Sequence, residues 1–161
     1  MSEDRIPMTR EGFDKLKTEL DKLSSVDMIE ITRRVAAARD LGDLSENAEY
    51  HAAREDQGIL QARIDAMRAK LARALIIDVS SLPKDVAVFG SKVTVRETDS
   101  DDEEEFHLVG PGEDDPYKNK ILISSPIGQG LLGKKVGDIA EVSAPSGIIK
   151  FKILKIEMNL Q

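Results

Sequence analysis

The chain has 161 residues, of which 40% are hydrophobic and 33% are charged, and it contains no cysteine. This composition excludes disulfides, cysteine nucleophiles and cysteine-based metal sites, and no apolar run reaches the roughly 18 residues of a membrane span. The net charge of −7 argues against the uniformly basic surface of an autonomous DNA-binding domain, and the acidic start is unlike a secretory leader, so we expect a cytoplasmic protein without membrane contact.

The first half of the chain predicts two long helices. Between Thr9 and Asp78 there is no proline and glycine occurs at three positions only. Before Gly42, apolar residues recur every three or four positions, with a slip at Ser24 and Ser25 that predicts one bent helix. A second heptad seam follows at Ala53, Gln57, Leu60, Ile64, Met67, Leu71 and Ala74. Because the connection is short, we predict an antiparallel helical hairpin in residues 1–79 that projects into solvent.

The second half, residues 80–161, predicts a compact and mainly antiparallel sheet. Short β-rich segments separated by Gly, Pro and Asp follow a linker at residues 80–83. The predicted strands are 86–89, 91–97, 105–109, 121–124, 139–142 and 148–156, and residues 126–132 are predicted to form a short helix. The acidic residues 99–105 predict an exposed hairpin loop. The whole chain is therefore predicted to be α+β.

The tip of the hairpin, residues 40–50, reads D-L-G-D-L-S-E-N-A-E-Y and concentrates acidic residues. The spacing of Asp43 and Glu46 fits a capping box, in which the first side chain accepts a hydrogen bond from the backbone three residues on. Spacing alone favours this interpretation because such helix starts are common. Alternatively, the two carboxylates bind a divalent cation such as Mg²⁺. Two carboxylates fill only part of its six coordination positions, so the others are open to water and to groups from another molecule. The tip has no pocket and no nucleophile, so it could act only by completing the site of another molecule.

Four further side chains are weaker candidates. His51 and His107 lack clustered partners, so neither is predicted to be a metal ligand or a base. Arg39 and Arg54 flank the tip, one on each predicted helix. These two arginines could form ordinary ion pairs or contact a phosphate near the tip, and the sequence leaves both roles open.

Two segments resemble the signature regions of the Gre family of bacterial transcript-cleavage factors, and of its GreA branch most closely. They are GDLSENAEYHAARE, residues 42–55, and SPIGQGLLGKKVGD, residues 125–138. Pro7, Met8, Thr9, Gly12 and Leu16 are similar as well, so the resemblance covers nearly the whole chain. It implies an antiparallel coiled coil followed by a domain of FK506-binding-protein-like topology. Ser45 departs from the basic residue that many members have, and Gly130 departs from a frequent alanine.

The resemblance also implies a mechanism. In this family the globular domain docks at the secondary channel of bacterial RNA polymerase, and the coiled coil reaches the active centre. There the tip acids help to hold a second Mg²⁺, so that the polymerase cleaves the 3′ end of backtracked nascent RNA. Asp43 and Glu46 are the implied catalytic and metal-binding residues, acting in trans on a Mg²⁺ shared with the polymerase. The chain is then expected to be a monomer that binds no cofactor stably and is not itself an enzyme.

Further residues take roles from the same resemblance. Arg39 and Arg54 are implied contacts to the RNA. The implied polymerase-docking residues are Ser125, Pro126, Ile127, Gly128, Leu131 and Leu132. A channel-binding inhibitor of the same shape is the alternative function, although the D-L-x-E-N pattern of residues 43–47 is that of the cleavage factors. A prolyl isomerase is a further alternative, and it would need an aromatic-lined pocket built from Phe89, Phe106, Phe151 and Tyr117.

Overall fold

The structure, a computed structural model, describes residues 5–158 and divides the chain into two compact units. The helical unit contains Asp14–Ala74, and the sheet unit contains Arg5–Phe13 together with the chain from Leu75 onward. The helices and strands are β1 Ile6–Met8, α1 Arg10–Lys22, α2 Met28–Arg39, α3 Ala48–Ala72, β2 Ala74–Ile76, β3 Ser91–Glu97, β4 Glu103–Val109, β5 Lys120–Leu122, α4 Pro126–Leu131, β6 Ile139–Ala144 and β7 Gly147–Met158. The predicted α+β class, with a helical first part and a β-rich second part, is confirmed.

The slip in the first apolar pattern corresponds to a π-helical turn at Leu23–Asp27, which joins α1 to α2. The Ser24 and Ser25 hydroxyls donate hydrogen bonds to the carbonyls of Leu20 and Asp21, a form of back-bonding that bends helices. The wider turn takes up extra chain and shifts the apolar pattern that follows it. One continuous helical path with an irregular turn at the predicted slip is therefore confirmed, and its bend stays a prediction.

The second helical arm, α3, packs antiparallel to α2. Leu23, Leu60 and Ile64 form the buried core between the arms, with Leu20, Met28, Ile31 and Met67 packed against it. Ion pairs cross the arms at Arg34–Asp56 (2.9 Å) and Arg63–Glu19 (3.0 Å). The paired residues are closer in sequence when they lie nearer to residues 40–47, as an antiparallel pair requires. The predicted hairpin is confirmed.

Removing one of these ion pairs should cost little. The side chains of Arg63 and Glu19 are 61% and 44% exposed, so water and salt already screen their attraction. We expect Arg63→Ala to lower the free energy of unfolding by less than about 1 kcal/mol, with the difference shrinking at high salt. Urea denaturation at two salt concentrations measures this, and Arg34→Ala at the other exposed pair should behave alike. A loss that does not respond to salt would contradict this account.

Within residues 5–158, the main sheet of the sheet unit has five strands in the order β5-β4-β3-β7-β6, of which only β4 and β5 pair in parallel. Its core contains Val93, Val95, Phe106, Leu108, Leu131, Ala140, Val142, Phe151 and Ile153. The alternation of β3 places Val93 and Val95 inside, between the outward-facing Lys92, Thr94 and Arg96. The predicted, mainly antiparallel sheet with one short helix is confirmed, and no helix within residues 5–158 is long and apolar enough to cross a membrane.

Two local predictions fail. Residues 86–89 do not form a strand: Val86 makes one isolated bridge to Lys135, and Ala87 hydrogen bonds to the loop at residues 133–134. Their apolar character reflects the burial of Ala87 and Phe89. The sequence analysis also missed the small sheet of β1 and β2, because three-residue strands carry little pattern. Residues 5–13 group with the sheet unit by their contacts, whereas the predicted division after residue 79 stays a prediction.

Candidate functional site

The side chain of Asn47 closes the turn between α2 and α3. Its Oδ1 accepts a hydrogen bond from the backbone N–H of Tyr50 at 3.0 Å, which caps the start of α3. Its Nδ2 donates to the carbonyl of Ala38 in the last turn of α2. One side chain therefore bonds to a backbone group of each helix, the Tyr50 N–H and the Ala38 carbonyl that also accepts from the Leu41 N–H, and links the two helix ends.

Asp43 begins a separate, single 3₁₀-helical turn at Leu44–Glu46. Its Oδ1 accepts hydrogen bonds from the Ser45 backbone N–H at 3.0 Å and from the Ser45 hydroxyl at 2.8 Å. The predicted capping box is therefore wrong, because Asp43 accepts from the residue two positions on and Asn47 caps the long helix. The Glu46 carboxylate has no hydrogen bond or ion pair within residues 5–158. Helix capping explains Asn47 but leaves Glu46 unexplained.

The tip carboxylates are accessible to water and to ligands. Asp43, Ser45 and Glu46 are all exposed. The hydrogen bond from the Ser45 hydroxyl, and then that from its backbone N–H, lower the pKa of the Asp43 carboxyl below its ordinary value. The group is therefore ionised at neutral pH. Its second oxygen, Oδ2, makes no hydrogen bond in the part of the chain that the structure describes.

The chain contains a second copy of this turn. Asp78 Oδ1 accepts from the Ser80 backbone N–H at 3.0 Å and from the Ser80 hydroxyl at 2.6 Å, at the start of a 3₁₀ turn at Val79–Ser81. The pKa of Asp78 is lowered by the same two bonds. The difference lies three residues after the aspartate, where the tip has Glu46 and the copy has Ser81. The turn itself is structural, and the second carboxylate distinguishes the tip.

The two copies allow a matched test of the Asp43–Ser45 bond. Ser45→Ala removes the hydroxyl donor and keeps the backbone donor, so we expect the pKa of Asp43 to rise towards its ordinary value while that of Asp78 is unchanged. Ser80→Ala should have the reverse effect. Carbon-13 NMR titration of the two carboxyl carbons measures both values. An unchanged Asp43 pKa in Ser45→Ala would show that the hydroxyl bond is absent in solution.

The tip alone supplies only part of a metal site. No group of three or more His, Asp or Glu side chains that could hold a metal occurs among residues 5–158. Mg²⁺ prefers six oxygen ligands and commonly takes only one or two from protein carboxylates. The exposed oxygens of Asp43 and Glu46 match that partial set. They fit a Mg²⁺ whose other ligands come from a second molecule or from water.

Apolar residues beside the acids were missed by the sequence analysis. Leu41 and Leu44 are 68% and 40% exposed and lie on either side of Gly42 and Asp43. The sequence could have indicated their exposure, because both leucines lie outside the two heptad seams that form the helix packing.

Gly42 has φ +127°, and apart from its chain neighbours no atom lies within 4 Å of the position where a Cβ would be. Its backbone conformation therefore accounts for glycine at this position.

Both candidate RNA-contact arginines are exposed, and each has an intramolecular partner. The Arg39 guanidinium lies over the ring of Tyr50, with Cζ 5.7 Å from the ring centroid. Arg54 Nη1 donates a hydrogen bond to Gln57 Oε1 at 2.8 Å. Neither arginine is ion-paired with a carboxylate within residues 5–158. Their role in binding RNA stays a prediction.

The candidate docking segment is built around α4. The Ser125 hydroxyl accepts from the Gly128 backbone N–H at 3.1 Å and caps this short helix. A Cβ on Gly128 would lie 2.3 Å from the Leu122 carbonyl, and Leu131 is 0% exposed, so these two residues can only shape the segment. The candidates with exposed surface are Ser125, Pro126, Ile127 and Leu132. Docking through this segment stays a prediction.

The aromatic residues of the sheet unit do not form the pocket that a prolyl isomerase would need. Phe89, Phe106 and Phe151 are buried, whereas Tyr117 is 97% exposed. Phe106 and Phe151 contact each other edge to face inside the core. Within residues 5–158 these four side chains do not converge on one apolar cavity.

Comparisons with known proteins match both units. A family model described as "Transcription elongation factor, N-terminal" matches residues 6–76, and one described as "Transcription elongation factor, GreA/GreB, C-term" matches residues 82–158. Transcription elongation factor GreA of Thermodesulfovibrio yellowstonii is 50% identical over 97% of this chain and 99% of its own length. The protein of that name from Psychrobacter arcticus is 46% identical over 94% and 97%. The crystal structure of GreA factor homolog 1 (Gfh1) of Thermus thermophilus is 26% identical, with a TM-score of 0.45 over 95% of this chain and 99% of that one.

Proposed function

The chain belongs to the GreA/GreB family of transcription elongation factors, and from this premise we propose that it stimulates cleavage of nascent RNA by RNA polymerase through Asp43 and Glu46. The observation that carries the proposal is the pair of exposed carboxylates at the tip. Glu46 has no partner within residues 5–158, and Asp43 uses one oxygen for Ser45 and leaves the other available. Neither carboxylate is needed to start α3, because Asn47 caps that helix.

The proposed catalyst is the polymerase, and the factor acts in trans. Bacterial RNA polymerase is the proposed partner, and the 3′ end of backtracked RNA is the proposed substrate. Asp43 and Glu46 would help to hold a second Mg²⁺ shared with the polymerase, which would supply charge stabilisation for the attacking oxygen of water and the leaving oxygen of the phosphodiester. Asp43 and Glu46 would supply carboxylate oxygens to that ion, and Asn47 would keep the turn that carries them in place. We propose that the chain acts as a cytoplasmic monomer and holds no cofactor by itself.

The sheet unit is the proposed docking part. The exposed Pro126 and the half-buried Ser125, Ile127 and Leu132 of the α4 segment are proposed to contact the polymerase at its secondary channel. Arg39 and Arg54 are proposed to attract RNA phosphates, since their charges are not neutralised by carboxylates within residues 5–158. A protein of net charge −7 would bind free RNA weakly, so its specificity would come from the polymerase.

A cleavage assay on arrested polymerase tests the proposal. Complexes with end-labelled RNA are backtracked by nucleotide omission and then incubated with the purified chain at limiting Mg²⁺. We expect the RNA to shorten faster than in polymerase alone. Blocked synthesis without shortening would instead support a channel-binding inhibitor, and an unchanged rate would contradict both functions.

A further inference from the structure

Three side chains with flat faces lie close to one another in the last turn of α2 and the first turn of α3. The Arg39 guanidinium lies 5.7 Å from the centroid of the Tyr50 ring. The rings of Tyr50 and His51 meet edge to face, with centroids 5.6 Å apart and an interplanar angle of 64°. Arg39 and His51 are exposed and Tyr50 is half-buried. We call Arg39, Tyr50 and His51 the stacking platform.

Tyr50 is one of the few aromatic residues of the chain. Only 4% of the residues of the chain are aromatic, and Tyr50 belongs to neither of the two hydrophobic core clusters. Its backbone N–H donates to Asn47 Oδ1, so its main chain is fixed in the first turn of α3, four residues after Glu46. The scarce aromatic side chain is therefore in a position where it can contact whatever the tip binds.

The arginine of the platform is not one of the ion-paired arginines of the hairpin. Arg34 and Arg63 are ion-paired with Asp56 and Glu19. Arg39 has no carboxylate partner within residues 5–158, and its Cζ lies over the Tyr50 ring. A planar cation held on an aromatic ring attracts a phosphate and also presents a flat surface.

Such surfaces bind unpaired nucleobases. Single-stranded nucleic acids are held by aromatic rings and guanidinium planes that stack on the bases, together with cations that attract the backbone. Bases in a duplex have their faces covered by their neighbours. The partner chemistry that fits the platform is therefore a single-stranded nucleotide near the tip.

We propose that Arg39, Tyr50 and His51 hold one unpaired nucleobase of the extruded RNA 3′ segment by stacking, next to the carboxylates of Asp43 and Glu46. This inference rests on the proposed function, because the polymerase is what would bring the RNA to the tip. It differs from attraction of phosphates by Arg39 and Arg54, which needs charge and no ring. The platform would hold the RNA in position while its backbone is cleaved.

The fluorescence of 2-aminopurine at the RNA 3′ end tests the proposal, because stacking quenches its emission. The measurement uses backtracked polymerase and a factor carrying Asp43→Asn, so that the RNA stays intact. We expect this factor to quench the emission. In the same background, Tyr50→Leu should raise the factor concentration for half-maximal quenching by about fivefold or more, and Tyr50→Phe should not.

A charge-matched variant separates stacking from charge, and a variant of a distant tyrosine is the control. Arg39→Lys keeps the charge and removes the plane, so stacking predicts weaker quenching, whereas phosphate attraction alone predicts no change. Tyr117→Leu alters an exposed tyrosine of the sheet unit and should leave quenching unchanged. Circular dichroism melting of each variant verifies that it is folded.

The outcomes are decisive for the platform and independent of the cleavage assay. Equal quenching by the parent factor and Tyr50→Leu would overturn the platform, and so would equal loss in Tyr50→Phe and Tyr50→Leu. If the unmodified factor stimulates cleavage but no quenching occurs with the Asp43→Asn factor, the proposed function stands and the platform fails. If quenching follows the expected pattern while the unmodified factor does not accelerate cleavage, the platform stands and the cleavage role fails.

Discussion

Asp43→Asn is expected to abolish the stimulation of RNA cleavage while leaving the fold and polymerase binding unchanged. Asparagine can accept the same two hydrogen bonds from Ser45, so the 3₁₀ turn is kept. What is lost is the negative charge that would help to hold Mg²⁺. Because metal stabilisation of a transition state is worth several kcal/mol, we expect the cleavage rate to fall by about 100-fold or more at limiting Mg²⁺.

The second turn of the chain provides the matched control for this variant. Asp78→Asn makes the same chemical change at a carboxylate with the same two hydrogen-bond partners. It should leave cleavage unchanged, and both variants should melt near the parent temperature. Glu46→Gln should reproduce the loss of cleavage without a loss of stability, since the Glu46 carboxylate has no partner within residues 5–158. Full activity in Asp43→Asn would refute the proposed role of the tip.

Asn47→Ala is expected to lower the free energy of unfolding by about 1–3 kcal/mol, from the loss of a helix cap and of a second hydrogen bond. The variant leaves the Tyr50 N–H without its side-chain cap and removes one donor from the Ala38 carbonyl, which keeps the Leu41 N–H. The tip would then lose the link between its two helices. Cleavage should fall with stability, because ligands displaced by about 1 Å lose much of their effect. Urea denaturation and the cleavage assay measure the two quantities on the same protein.

Asn47→Asp separates the two bonds of this side chain. An aspartate still caps α3 by accepting from Tyr50, but it cannot donate to the Ala38 carbonyl. We expect a smaller loss of stability than in Asn47→Ala, together with a comparable loss of cleavage. If Asn47→Asp retains full cleavage activity, then the bond to Ala38 does not position the tip.

Patterns that repeat along the chain were predicted well. The two heptad seams identified the hairpin, because each buried position of a helix pair is repeated every three or four residues. The break at Ser24 and Ser25 located the π-helical turn for the same reason. The alternation in β3 predicted Ser91–Glu97 with its correct bounds, since one face of that strand is buried. Residues 86–89 misled the prediction because a buried loop can be as apolar as a strand.

Local chemistry at the tip was not decided by spacing. Both Asp43 and Asn47 are good capping residues, and the sequence alone favoured a box between Asp43 and Glu46. In the folded chain Asn47 caps the helix, because its amide also reaches the Ala38 carbonyl on the other arm. The Tyr50–Arg39 contact likewise joins two arms and has no signature in either one.

The sequence by itself determined the α+β class, the hairpin, the acidic turn and the family, because these depend on residue types that recur or stand close together along one strand or helix. Only the tertiary structure decided which side chain caps α3, which carboxylate is left without a partner, and which aromatic ring lies under an arginine. The first and the last of those depend on a contact between the two arms of the hairpin. Such contacts are set by the packing of one arm on the other, and the order of residues within either arm does not record them.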